Sequence, residues 1–266
     1  MQKNNEERSL KDRIEDLWER GSGDVSCVLE AMEKLDKGEL RVAEPTDGLP
    51  VVNQYLKKAI LLYFKHIPSR LMPGDGCNFF DKVPLKTQNW TESDFTKAGF
   101  RAVPGSLVRY SAYIAKSAVL MPCFVNVGAR VGEGTMIDSH ALVGSCAQIG
   151  KGCHISDGVT VAGVLEPLQA APVIIGDNCF IGARSVVSEG VIIGEGSVLG
   201  AGTILSASSG ILDKSTGEIT RGRIPPYSVA VPGTRPSGNV NLCCTVIIKK
   251  TDEQTRKKTT VNELLR

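Results

Sequence analysis

The chain has 266 residues, and its 31 lysine and arginine residues nearly balance 29 aspartate and glutamate residues, for a formal net charge of +2. Hydrophobic residues make up 42% and charged residues 23%, which excludes a largely disordered chain. The near-neutral charge excludes a nucleic-acid binder that depends on a strongly basic surface. No stretch approaches the roughly 20 apolar residues of a membrane helix, and the opening MQKNNEERSLKDR is too polar for a signal peptide. We therefore expect a cytoplasmic protein with no membrane and no nucleic-acid partner.

The first 100 residues predict a small, mostly helical domain. Apolar residues at helical spacing indicate a helix from Leu10 that ends near Gly21. A second helix, capped by Asp24 or Ser26, ends at Gly38. Further elements are a strand at 40–43, a helix at 53–65 and a short helix that begins at 91–94.

The middle of the chain repeats with a period of six residues. From Tyr113 onward every sixth residue is apolar, the register breaks over 163–172, and it then resumes as far as Leu205. We refer to these residues as the anchors: Tyr113, Val119, Val125, Val131, Ile137, Val143, Ile149, Ile155, Val161, Ile175, Ile181, Val187, Ile193, Leu199 and Leu205. Neither a helix nor a plain sheet produces this spacing, whereas hexapeptide repeats are typical of a β-solenoid.

Two further columns support the solenoid. A small or modest residue stands four positions after each anchor, and from Val131 onward the position after the anchor is often glycine. We expect each hexad to form one short strand and one turn, with the anchor pointing inward and glycine permitting the tight turn. Fifteen hexads, three per triangular coil, predict about five coils in a domain that spans residues 101–234.

Segments outside the repeat have separate predictions. The interruption at 163–172 is an inserted loop, for which ligand contact and a neutral insertion are both open. Residues 206–223 form a polar excursion, and 224–233 a closing coil. The C-terminal extension, residues 235–266, contains a predicted strand at 242–250 and a terminal helix at 260–266.

Three polar residues are candidates for chemistry. Asp138 replaces the usual glycine after an anchor, Arg101 lies at the junction of the first two domains, and Glu189 follows Val187. Each also has a structural interpretation: a turn aspartate, an internal ion pair and a solvated carboxylate, respectively.

Histidine and cysteine chemistry is less well supported. The three histidines, His66, His140 and His154, fit structural positions better than a catalytic base or the three-histidine zinc site of a trimeric carbonic anhydrase. The eight cysteines contain no CxxC pair, so a disulfide framework or zinc knuckle is not indicated. Cys146 could be a nucleophile, but no base partner is evident, and packing is the favoured interpretation.

Several longer motifs resemble the tetrahydrodipicolinate N-succinyltransferases of the hexapeptide acyltransferase superfamily. The most specific are VGSCAQIG at 143–150 and GVLEPLQA at 163–170. Others are FRAVP at 100–104, EGTMID at 133–138, DNCFIGARS at 177–185, LRVAE at 40–44, FDKVP at 80–84 and NELLR at 262–266. The likeness spans nearly the whole chain and is weakest over the first 35 residues.

The resemblance implies a mainly β fold built on a left-handed parallel β-helix, a homotrimer, and active sites between neighbouring β-helices. It implies transfer of a succinyl group from succinyl-CoA to tetrahydrodipicolinate in the diaminopimelate route to lysine. Carried over by motif, Arg101 binds a carboxylate of the dicarboxylic substrate, and Asp138 contacts the substrate's nitrogen or adjacent hydroxyl. Glu189 is a less secure catalytic residue. No metal and no permanently bound cofactor are implied, since CoA is a co-substrate, and the CoA-binding residues are not identified.

The residue types suit that chemistry. A thioester is already activated, so an attacking amine needs positioning, loss of a proton and stabilisation of the oxyanion, for which we expect a backbone N–H of a coil. Two alternatives stay open: a different CoA-dependent acyltransferase, whose sugar acceptor would not need the Arg101 guanidinium, and a non-catalytic trimeric scaffold. A mere scaffold has little reason to contain Asp138 or the loop at 163–172.

Overall fold

The computed structural model describes residues 8–44, 46, 49–74 and 76–251. The helix predicted at 260–266 lies outside these residues. The described part contains four helices: α1 (Leu10–Arg20), α2 (Ser26–Lys37), α3 (Gln54–His66) and α4 (Glu92–Ala98). Two short antiparallel hairpins accompany them: β1 (Ala43–Glu44) with β2 (Val51–Val52), and β3 (Arg70–Pro73) with β4 (Asn78–Asp81).

The helix ends follow the local sequence. Gly21 and Gly38 end α1 and α2 with φ of 72° and 75°, in the left-handed region where glycine carries no steric penalty. The predicted N-cap of α2 was wrong in position, because Val25 stands there and makes no side-chain cap bond. Instead the Asp24 carboxylate accepts a hydrogen bond from the Ser26 N–H at 2.9 Å.

The rest of the described chain is dominated by parallel β-structure, which confirms the mainly β solenoid. Seventeen two-residue strands follow α4. They are β5 (Arg101–Ala102), β6 (Leu107–Val108), β7 (Tyr113–Ile114), β8 (Val119–Leu120), β9 (Phe124–Val125), β10 (Arg130–Val131), β11 (Met136–Ile137), β12 (Leu142–Val143), β13 (Gln148–Ile149), β14 (His154–Ile155), β15 (Thr160–Val161), β16 (Ile174–Ile175), β17 (Phe180–Ile181), β18 (Val186–Val187), β19 (Ile192–Ile193), β20 (Val198–Leu199) and β21 (Ile204–Leu205).

The chain then leaves the coil for β22 (Ile211–Asp213) and β23 (Ile219–Thr220), and returns with β24 (Arg223–Ile224). It ends in a long antiparallel hairpin of β25 (Ser228–Ser237) and β26 (Val240–Lys250). Because β24 pairs with β19 and β25 pairs with β20, both in parallel, the predicted closing coil is confirmed. The predicted strand at 242–250 is confirmed as part of β26.

Three parallel sheets form the sides of the solenoid. The first sheet contains β5, β8, β11, β14, β17, β20 and β25; the second contains β6, β9, β12, β15, β18 and β21; the third contains β7, β10, β13, β16, β19 and β24. We call the turn from the first sheet to the second the first corner, and the turn from the second to the third the second corner. The second and third sheets have one strand per coil, so the solenoid has six full coils, after which β25 adds a seventh strand to the first sheet. This exceeds the predicted five because β5 and β6 precede Tyr113 and β24 follows Leu205.

The inward register also differs from the prediction in the first two coils. Val131 pairs with Ile114 and Ile137 with Leu120, so Ile114 and Leu120 point into the core. Tyr113 and Val119, predicted to point inward, precede them. The reason is that Leu120 and Val125 are five residues apart instead of six. Because the outward-facing Tyr113 and Val119 are also apolar, the sequence pattern does not reveal this shorter spacing. From Val125 onward the predicted anchors are confirmed and lie in one continuous buried core.

The glycines after the anchors have a different function from the one predicted. Their φ values are not positive; positive φ instead falls on the third residue after the anchor, such as Gly134 at 64° or His140 at 59°. A Cβ atom on Gly132 would lie 2.3 Å from the carbonyl oxygen of Gly150 in the next coil. Glycine is therefore required at this position because adjacent coils approach too closely for a side chain.

The N-terminal helices share a core with the second corner. Helix residues such as Ile14, Met32 and Ile60 pack in one buried cluster with Val127 and Cys146 of the solenoid. The division of the chain at residues 100 and 234 stays a prediction. Within the described residues, no helix has the length and apolar character needed to cross a membrane.

We predict that Gly132→Ala lowers stability by about 2 kcal/mol, because the added methyl group must push two coils apart. The matched control is Gly210→Ala, whose Cβ would meet its nearest neighbours at an ordinary 3.5 Å. It should change stability by less than about 0.5 kcal/mol. The measurement is the denaturant midpoint at fixed protein concentration, and equal midpoints for the two variants would contradict the close-approach explanation.

Candidate active site

Asp138 lies at the first corner, directly after the anchor Ile137. Its Oδ1 accepts a hydrogen bond from the Ser139 N–H at 2.7 Å, and its own N–H donates to the Ile155 carbonyl at 2.8 Å. These two bonds fix the side chain at the turn. Its side chain stays 30% exposed, so the carboxylate is both held in place and open to a ligand.

His154 is the partner of Asp138. It begins β14, one coil further on, and its Nε2 lies 3.3 Å from Asp138 Oδ2. This is hydrogen-bond distance, and the imidazole tautomer decides which of the two atoms carries the proton. The edge-to-face contact with Phe180, with ring centroids 5.2 Å apart, sets the orientation of the imidazole. A histidine–carboxylate pair of this kind can accept and relay a proton.

This pair was not predicted from the sequence. A structural position was expected for His154 because His140 and His154 fall at different places in the hexad. The available signal was the coil length: His154 is 18 residues after Met136, which is one full coil, so the two are neighbours in the first sheet. The repeat length therefore predicts that His154 lies beside the strand that leads into Asp138 and can be its partner.

Arg101 shares the first sheet with this pair. It is the first, exposed residue of β5, and it pairs with Val119, which pairs in turn with Met136. Two strand spacings of about 4.8 Å put its backbone about 10 Å from that of Met136. Both strand positions face outward, so Arg101 and the Asp138–His154 pair lie on one side of the solenoid.

Glu189 lies elsewhere. It is an exposed residue of the second corner, one side of the triangle and two coils away from Asp138. Its φ is 53° and that of the next residue, Gly190, is 72°, whereas every other solenoid corner with a positive φ has it only at the third residue after the inward-facing residue. Its Oε2 accepts a hydrogen bond from the Ala207 N–H at 3.1 Å, which gives Glu189 a structural contact of its own. Within one protomer, the structure therefore does not bring Glu189 to Asp138.

The inserted loop at 163–172 also emerges at the second corner, between β15 and β16. It lies beside the turn that carries Glu189, since a Cβ on Gly190 would be 2.7 Å from the Ala171 carbonyl oxygen. Val164 packs into the solenoid core and Leu165 packs against the core of the N-terminal helices. The loop thus joins both cores at one edge of the molecule.

The cysteines fit the predicted packing role. Six of the eight are buried, and all eight are free: Cys27, Cys77, Cys123, Cys146, Cys153, Cys179, Cys243 and Cys244. Burial raises the pKa of the Cys146 thiol to about 12. A thiol in that state is a poor nucleophile at neutral pH. Among the residues that the structure describes, no three His, Cys, Asp or Glu side chains are grouped as metal ligands.

Comparison with protein families supports the resemblance seen in the motifs. The family model described as "Tetrahydrodipicolinate N-succinyltransferase N-terminal" matches residues 9–66. A model for a bacterial transferase hexapeptide matches residues 128–163, and one for the hexapeptide repeat of succinyl-transferase matches residues 172–207.

Curated relatives match over nearly the full length. The 2,3,4,5-tetrahydropyridine-2,6-dicarboxylate N-succinyltransferase of Parvibaculum lavamentivorans is 54% identical over 98% of this chain and 96% of its own. The enzyme of the same name from Afipia carboxidovorans is 56% identical over 92% of this chain and 91% of its own.

A solved structure from Campylobacter jejuni, described as a 2,3,4,5-tetrahydropyridine-2-carboxylate N-succinyltransferase, supports the fold. It has a TM-score of 0.56 at 18% identity, and the match covers 85% of this chain and 63% of that one. Since full-length relatives above 50% identity all carry one name, this chain is an acyltransferase that belongs to the tetrahydropyridine-dicarboxylate (tetrahydrodipicolinate) N-succinyltransferase family.

Proposed function

We propose that this acyltransferase moves the succinyl group of succinyl-CoA to the amine of ring-opened or hydrated tetrahydrodipicolinate, within the diaminopimelate route to lysine. The observation that carries the proposal is the identity of 54% with the Parvibaculum enzyme of that name over almost the whole of both chains. The products are CoA and N-succinyl-2-amino-6-oxopimelate.

The first sheet supplies the groups that the acceptor needs. The Arg101 guanidinium is a planar, two-pronged donor that matches one carboxylate of the acceptor. Asp138 is placed to accept the proton of the acceptor amine, while His154 holds Asp138 Oδ2 and orients it. The backbones of the strands that carry Arg101 and Met136 lie about 10 Å apart. An extended Arg101 side chain and the Asp138 carboxylate can therefore contact the same dicarboxylate.

The bond changes are those of a direct acyl transfer. The amine nitrogen attacks the thioester carbonyl carbon, a C–N bond forms, and the C–S bond breaks. The amine proton passes to the Asp138 carboxylate, and the departing thiolate takes up a proton to become the CoA thiol. Because the thioester is already activated, the protein contributes positioning and proton transfer and needs no covalent acyl-enzyme.

We propose that the working unit is a homotrimer with active sites between neighbouring β-helices. What supports this arrangement is the separation of Glu189 from Asp138 within one protomer, by a side of the triangle and two coils. A neighbouring protomer can present its second corner, with Glu189 and the inserted loop, to the first sheet of the other. The pantetheine arm of CoA then lies in the groove between them.

The reaction itself is tested by thiol release from succinyl-CoA with freshly generated tetrahydrodipicolinate, with acetyl-CoA run in parallel. We expect turnover that requires the acceptor and favours succinyl-CoA by about tenfold or more in kcat/KM. Equal use of acetyl-CoA would assign a different donor, and no turnover with either donor from folded protein would overturn the proposed function.

We predict that Asp138→Asn lowers kcat by about 10² or more, because the amide cannot accept the amine proton. The variant should keep its oligomeric state and its CoA affinity. The matched control is Asp157→Asn at the same corner one coil further on, where an exposed carboxylate pairs with Arg184 at 3.2 Å. An exposed pair contributes little, so the control should stay within about twofold of the wild type. Full activity of Asp138→Asn would remove Asp138 from the mechanism.

A further inference from the structure

Lys57 is a charged residue in a fully buried position. It lies on α3, its exposure is 0%, and it ranks among the largest completely buried side chains of the described structure. Burial lowers the pKa of its ammonium group. A buried ammonium group destabilises the folded protein unless each of its protons has a hydrogen-bond acceptor. The acceptors around Lys57 therefore indicate its role.

All three hydrogen-bond acceptors of Lys57 belong to the inserted loop. Its Nζ donates to the carbonyl oxygens of Pro167 at 3.3 Å, Leu168 at 2.9 Å and Ala170 at 2.7 Å. An ammonium group has three protons, so the three carbonyls use its whole donor capacity.

The loop has apolar attachments on both sides of its exposed part, since Ala170 packs against the solenoid core. Val164 is buried in the solenoid core and Leu165 packs against the N-terminal core. Beyond them, the side chains of Glu166, Pro167 and Gln169 are exposed. The exposed part of the loop therefore lies between apolar attachments, and the Pro167 and Leu168 carbonyls within it bind Lys57.

We propose that Lys57 is a positioning residue for the donor site: it holds the backbone of residues 167–170 so that the loop's exposed edge contacts the acyl-CoA. This inference rests on the proposed acyl transfer. Arg101 and Asp138 on the first sheet account for the acceptor, and the loop at the second corner is the feature left for the donor. An apolar side chain in place of Lys57 would fill the same space, but the Leu168 and Ala170 carbonyls would lose their donor, and Pro167 would keep only its bond from the Ala170 N–H.

The test compares Lys57→Met with wild type by hydrogen exchange of the loop amides and by steady-state kinetics. We expect exchange of the Ala170 amide, which donates to the Pro167 carbonyl oxygen, to rise about tenfold or more, and KM for succinyl-CoA to rise about tenfold. The kcat value and the KM for the acceptor should change by less than about threefold, because the acceptor groups on the first sheet are untouched.

The matched control is Lys58→Met. Lys58 is the next residue of α3, but it pairs with Glu15 and lies over the Trp18 ring, away from the loop. We expect neither loop exchange nor KM for succinyl-CoA to change in this variant. Unchanged exchange in Lys57→Met, or faster exchange with unchanged KM for succinyl-CoA, would overturn the proposal.

A second measurement needs no variant, in case Lys57→Met fails to fold. In the ligand-free wild type, the Ala170 amide, which donates to the Pro167 carbonyl oxygen at 3.0 Å, should exchange much more slowly than an unstructured amide, and rapid exchange there would contradict a lysine-fixed loop. Wild-type turnover in the same series separates the two proposals. An inactive wild type with a protected loop contradicts the proposed reaction but not the role of Lys57 in fixing the loop. An active wild type with a rapidly exchanging loop contradicts only the role of Lys57.

Discussion

The close stacking of adjacent coils is the constraint on which the rest of the structure depends. Each coil buries its aliphatic anchors by placing them on those of the next, and the backbones come so near each other that a methyl group on Gly132 would lie 2.3 Å from a carbonyl oxygen. This contact locks every coil in register with its neighbours, because a slip of one residue would turn the anchors outward. Outward side chains therefore occupy fixed columns along three flat faces, which suits a site that must hold two substrates in a set geometry.

The same constraint explains how the candidate site is built. Residues far apart in sequence become neighbours whenever their separation is close to a whole number of coils, as with Asp138 and His154. Residues at different corners stay apart, because the rigid solenoid has no hinge that could bring them together. The separation of Asp138 from Glu189 and the loop is thus a property of the fold, and we expect the assembly to join what a single chain keeps apart.

Much of the fold could be predicted from the sequence because the repeat is a local signal with a simple physical origin. The anchors from Val125 onward, the interruption at 163–172 and the helix-ending Gly21 and Gly38 all follow from side-chain size and backbone freedom. Tyr113 and Val119 were misassigned because apolar residues on the outer face look the same in sequence as anchors. The role of the glycines was misjudged since the close approach of two coils is a tertiary contact, which no single hexad displays.

The candidate site was less accessible to sequence reasoning. Arg101, Asp138 and Glu189 came from motifs and from departures in the repeat, and the structure shows that they do not form one cluster in a protomer. The contacts of His154 and Lys57 depend on which residue lies one coil away or across the domain junction. In the sequence, Lys57 is indistinguishable from a surface lysine of an amphipathic helix. Only the structure shows that its ammonium group binds the loop carbonyls.

Mixed trimers test most directly the claim that the site is completed by a neighbouring subunit. Asp138→Asn and Glu189→Gln chains with different tags would be co-expressed, and trimers that contain both would be purified through the two tags in turn. Each parent trimer should be nearly inactive, while mixed trimers should recover about one third of wild-type activity, because one of their three interfaces joins an intact Asp138 to an intact Glu189. Mixed trimers no more active than their parents, or a fully active Glu189→Gln parent, would contradict the account.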